Sequence, residues 1–202
     1  MYFPDFFADA PVIRVRDPLA EFLGAAEGGF IDYRYEDVVR LAGHSCPTVA
    51  SAFLMTRVAL RALYGEALPV RGEIRVDLAE ACDAGVAGVI ASVATLITGA
   101  TADTGFHGLA GKFSRRGKLF FSQPLGHGGL RFTRLDNGAA VVVTADLTKV
   151  PGDSRLGELM PFCLTGRAGA EQQKEFRTLW QDRVRRLLLQ HADDPEVIDV
   201  VH

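Results

Sequence analysis

Apolar positions recur at helical spacing through the first half of the chain: Val49, Phe53, Leu54, Val58, Leu60, Leu63 and Tyr64 predict one long helix over residues 47–64. Pro47 suits the first helical position, where its missing N–H would be unpaired anyway. Gly65 suits the end. Ile74, Val76 and Leu78 then alternate with Glu73, Arg75 and Asp77, the period of a half-buried strand. Residues 86–97 are almost wholly apolar and read as a buried helix, and residues 119–123 read as a strand. Residues 129–135 and 139–145 form a hairpin about Asn137-Gly138, a strong turn signal. Past residue 150 the pattern turns helical. A short helix over 155–162, with Cys163 packed in the core, is followed by a long amphipathic one over 170–190. The apolar stripe of the long helix is Phe176, Leu179, Trp180, Val184, Leu187 and Leu188.

Nearer the start, Asp17-Pro18 opens a short helix that Gly24 or Gly28 ends. Residues 30–33 are extended, and residues 35–42 form a helix broken by Gly43. Tyr2, Phe3, Phe6 and Phe7 should pack on the body or on a partner subunit. The tail after residue 190 should pack or add an edge strand. The order of elements predicts an α+β fold: a single mixed or antiparallel sheet packed by helices, with a long C-terminal amphipathic helix. Residues 1–150 read as the core and residues 151–202 as a C-terminal helical extension packed on it or on a second subunit.

Composition narrows the function. The chain has 202 residues, a net charge of −3, 48% apolar and 23% charged residues, the values of an ordinary globular domain without a basic excess. Nucleic-acid binding is not expected. The N-terminus has no basic region ahead of an apolar run, so no signal peptide is expected. The weakly polar run 84–100 is short for a membrane span and contains glycines, so no membrane span is expected either. Three cysteines without a C-x-x-C pair suit a reducing cytoplasm.

The chemistry concentrates at His44 and Cys46, a closely spaced pair of soft ligands at the start of the long helix. A helix N-terminus favours thiolate, the form that binds metal or attacks an electrophile. Cys82 repeats the logic at the next strand-to-helix junction, where the alternative is that it or Asp83 only caps the helix. The loop from Thr98 to Gly111 is rich in glycine and threonine. Its backbone could approach a ligand, with Thr98 and Thr101 offering hydroxyls, Asp103 a base or hard ligand, and His107 a further metal ligand. Both Asp103 and His107 also read as ordinary loop residues. The basic run 112–118, ending at Lys118, reads as a solvated face or as the holder of an anionic substrate group. Cys, His and one more ligand suit zinc first, with nickel or iron as the other choices.

The run GHSCPTVASAFLMTRVAL resembles the signature of FmdE-like proteins, relatives of a component of formylmethanofuran dehydrogenase, in which a Gly-His-x-Cys-Pro turn opens a long helix. EACDAGVAGVIASVATLITGATADTG and GKLFF resemble two further stretches of that family, and the resemblance covers roughly residues 35–150. Ala100 stands where many members carry a cysteine, and no C-terminal zinc ribbon can be built, so the chain resembles a core-only, bacterial-type member. The resemblance implies an α+β core, a metal pocket around the His-x-Cys turn and a homodimer, and no settled reaction. Three functions stay open: a metal-dependent protein that acts on or senses a small polar molecule, a non-catalytic metal-handling or complex-assembly module, and a metal-free enzyme with Cys46 as nucleophile.

Overall fold

The computed structural model describes residues 3–201; Tyr2, expected in the packed N-terminal arm, lies outside them. The fold is α+β, with a five-stranded mixed sheet, a separate two-stranded sheet, and helices.

The small sheet comes first. β1 (Ile13–Arg16) pairs antiparallel with β2 (Phe30–Tyr33), and α1 (Pro18–Phe22) lies between them. The Asp17 carboxylate caps α1 by accepting from the Leu19 and Ala20 amides at 2.9 and 3.2 Å. α1 has Leu23 as its C-cap, and Gly24 follows at φ 69°, the left-handed position of a helix-ending glycine as expected; none of the helix residues is buried. Ahead of it, Phe7 is buried and meets the Tyr35 ring edge-on at 4.9 Å, so the aromatic arm packs on its own chain.

α2 (Tyr35–Ala42) ends at Gly43, whose φ of 75° is the left-handed cap conformation. α3 (Pro47–Tyr64) follows after four residues. It is buried around most of its circumference, touching α2 and several elements introduced below. That explains why its apolar pattern is broad rather than a narrow stripe. β3 (Ile74–Leu78) leads to α4 (Ala87–Thr98), and β4 (Leu119–Phe120) is much shorter than the expected strand. Ser122, at φ 55°, bends the chain out of the ladder there. β5 (Leu130–Arg134) and β6 (Ala140–Ala145) form the hairpin, with the Asn137 side-chain oxygen Oδ1 accepting from the Ala139 amide at 3.0 Å.

α5 (Arg155–Leu164) and α6 (Ala170–Gln190) form an antiparallel pair, and β7 (Ile198–Val201) returns to the sheet. The strand order is β4-β3-β5-β6-β7, with β3 and β4 parallel and the other pairs antiparallel. α3 and α4 cover one face, and Ile74, Val76, Leu78, Phe132, Val141 and Val143 meet them in the core. The other side of β3 is not simply solvated. Asp77 is fully buried there and accepts from Arg75 Nε at 2.9 Å and Arg131 Nε at 3.0 Å. A buried carboxylate persists because it is paired. α6 buries Val184, Leu187 and Leu188. α5 buries none of its residues, so Cys163 lies half-buried on an outer helix and not in the core as expected. No helix among the described residues is long and apolar enough to cross a membrane.

Candidate functional site

His44, Ser45 and Cys46 bridge α2 and α3. Gly43 ends one helix in the left-handed region, and Cys46 is the N-cap of the next, with Pro47 at its first position. The Cys46 sulfur accepts from the Val49 amide at 3.5 Å. His44 is exposed, and its Nδ1 lies 3.0 Å from the Ala42 carbonyl oxygen. A carbonyl only accepts, so Nδ1 carries the proton and Nε2 is the nitrogen left to act as a ligand. Ligating histidines typically hold their second nitrogen in this way.

Between the two donors, Ser45 is clamped from α6. Its carbonyl oxygen accepts from the Trp180 indole N–H at 3.0 Å and the Gln181 amide at 3.2 Å. Its hydroxyl donates to Gln181 Oε1 at 3.0 Å, which leaves Tyr35 as donor across the 3.0 Å contact with Ser45 Oγ. Tyr35 is fully buried, and burial pushes its phenol far above the ordinary value, so it stays neutral. Sequence reasoning missed Tyr35, Trp180 and Gln181 as supports of the turn. The one available signal was the chain's single tryptophan on the apolar stripe of the long C-terminal helix. A buried indole N–H usually finds a partner.

His44 opens onto a cleft of about 260 Å³ lined by Leu41, Ala42, Gly88, Val89, Ser92 and Val93. The cleft thus lies between the end of α2 and the first half of α4. Cys82 is exposed in the loop before α4, and its carbonyl oxygen lies beside Gly88, a residue of the cleft wall. Among the described residues, no three His, Cys, Asp or Glu side chains come close enough together to hold a metal. His44 and Cys46 are therefore two donors whose type fits a zinc-like ion, and a third ligand is not assembled beside them.

The glycine-threonine loop is placed elsewhere. The Thr98 hydroxyl donates to the Ala94 carbonyl at 2.7 Å and accepts from the Ala100 amide at 3.2 Å; the Thr101 hydroxyl donates to the Arg115 carbonyl at 2.7 Å. Both hydroxyls hold backbone. Asp103 and His107 are exposed, and the Asp103 main-chain oxygen accepts from Arg116 at 2.5 Å. Lys118 reaches the Gly72 carbonyl and lies 3.8 Å from Glu73. Gly72 in turn donates its amide to the carbonyl of Thr98, the last residue of α4. Lys118 thus belongs to the C-terminal end of α4, whereas His44 faces the first half of that helix.

No family model matches the chain, and no curated protein matches it.

Proposed function

We propose that this is an FmdE-like protein that binds a divalent transition metal through His44 and Cys46, and that acts there on a small polar molecule or senses it. Zinc is the first choice of ion, with nickel or iron as the others. The observation that carries the reading is that the two donor side chains stand two residues apart in one turn between helices. An imidazole with Nδ1 committed to the Ala42 carbonyl lies two residues from a sulfur that already accepts a helix N-terminal amide. Cys82 or a donor from a second copy of the chain would supply the third ligand. Exposed Phe162 and Leu164 on α5 support a homodimer. A bound ion would supply Lewis acidity to a carbonyl or to water. The chain's own part is to hold the two donors rigidly through Ser45 and to offer the cleft beside His44.

Metal analysis of protein purified without chelators, run in parallel on His44→Ala and Cys46→Ser, tests this. About one ion per chain, lost in both variants while far-UV circular dichroism is unchanged, is the expected result. Full loading in either variant refutes the ligand role. The exposure of His44 favours one second reading, a metal-handling module without turnover. In that case the ion passes rapidly to a competing chelator and no substrate is turned over.

A further inference from the structure

A second site lies at the other end of α4. A cavity of about 350 Å³ is lined by Pro18, Arg71, Glu73, Phe113 and Ser114 together with Lys112, Arg115 and Lys118. Four cationic side chains face one carboxylate of the wall, Glu73, and one behind it, Asp17, which leaves positive charge in excess.

Arg115 is the centre of this arrangement. It is only 6% exposed, and Asp17 beside it 3%. Arg115 Nη2 donates to Asp17 Oδ1 at 2.6 Å, and Arg71 Nη1 donates to Asp17 Oδ2 at 2.8 Å. Burial pushes the Asp17 carboxyl up, but hydrogen bonding from Arg71 and the charge of Arg115 outweigh it and hold the group below the usual carboxylate range. Arg71 is further committed to the Leu96 carbonyl through Nε and Nη2. Arg115 is not so committed. Its Nε and Nη1 have no hydrogen-bond partner among the described residues, and no fully enclosed side-chain nitrogen or oxygen lacks a partner. These donors are therefore not fully enclosed, and Arg115 is one of the residues that line the cavity.

Backbone makes room for that guanidinium. A Cβ on Gly72 would lie 1.6 Å from Arg115 Nη1, and one on Gly99 would lie 3.0 Å from it. Burial, and behind it the Arg115 charge, draws the Lys118 ammonium below its ordinary value, with Glu73 opposing. A dianion in the cavity would relieve that repulsion. The side chains of Lys112 and Ser114 have no partner among the described residues, so two further donors stand ready at the rim. The volume equals that of about a dozen waters, several times more than an inorganic oxyanion fills. Phe113 and Pro18 supply apolar wall for the remainder.

We propose that this cavity binds a small phosphomonoester, its phosphoryl oxygens taken by Arg115, Lys118 and Lys112 and its organic part lying against Phe113 and Pro18. Arginine and lysine together on a tetrahedral dianion are a recurring solution for phosphate recognition. The site is independent of the metal reading, because it shares no residue with the His44 cleft.

Isothermal titration calorimetry at low ionic strength tests it, with phenyl phosphate and inorganic phosphate as probes and sodium chloride as the ionic control. One phenyl phosphate per chain, bound more tightly than inorganic phosphate, is expected. Lys118→Met and Lys112→Ala should each weaken it by about tenfold, and His44→Ala should leave it unchanged. Arg115→Lys should abolish it, and the two lysine variants keep the test valid if that buried substitution impairs folding. Absence of saturable heat with phenyl phosphate, or affinity unchanged in both lysine variants, overturns the site. Equal affinity for the two probes overturns the assignment to an ester.

Discussion

Gly72→Ala should be among the more damaging single-methyl additions in this chain, and the structure says why. Two costs act there. The backbone sits at φ +90°, outside the range that side-chain-bearing residues favour, which costs about 1–2 kcal/mol. The new Cβ would also lie 1.6 Å from Arg115 Nη1, so the guanidinium must move. A side-chain tip can often move cheaply, but this one is buried and bound to Asp17. Moving it leaves Asp17 buried with one cation fewer, and breaking such a pair costs about 3–5 kcal/mol. Gly43→Ala is the control, because φ is +75° and no atom lies within 4 Å of the added carbon. That variant should lose only the backbone cost. Urea denaturation at neutral pH reads both, with the midpoint shift compared at constant slope. Gly72→Ala should lose about three to six times as much as Gly43→Ala, on the order of those two costs combined. Equal losses would refute the argument that Arg115 is locked in place over Gly72.

Tyr35→Phe removes the donor to Ser45 Oγ and little volume, so it should cost about 1 kcal/mol and lower Tm by about 2–4 °C in a calorimetric scan. If Ser45 is a rigid support of the turn, the same variant should also weaken metal loading. The Asp17 carboxyl is held below its unfolded value, so it contributes stability above the unfolded pKa that is lost as pH falls through the folded one. Stability should therefore decline on the acid side, below about pH 4, and Asp17→Asn should flatten that part of the profile. An unchanged acid limb in the variant would remove Asp17 from the account.

Local signals predicted much of the fold. α6 spans Ala170–Gln190 as its stripe implies, and α3 begins at Pro47 and is capped by Gly65. The β5–β6 hairpin turns at Asn137-Gly138. In each case neighbouring residues carry the information, whether as an apolar period, a proline or a turn dipeptide. The same holds for His44 and Cys46, since helix punctuation on both sides sets the turn. The polar side of β3 misled, because Asp77 is buried beneath Arg75 and Arg131, and Arg131 comes from the adjacent strand. The basic run 112–118 also divides in a way no window shows: Arg115 points inward to Asp17, while Arg116 stays exposed.

By itself, then, the sequence determined the type and order of the main elements and the place of His44 and Cys46 in the turn between α2 and α3, since these depend on residues a few positions apart. Only the tertiary structure decided what surrounds them. Ser45 is held from Trp180 and Gln181, more than a hundred residues onward. Asp17 meets Arg71 and Arg115 from two distant segments. Lys118 lands at the far end of α4 from the cleft of His44. Such pairings arise when packing brings remote segments together and buried charges must find partners, a requirement that acts on the folded chain as a whole.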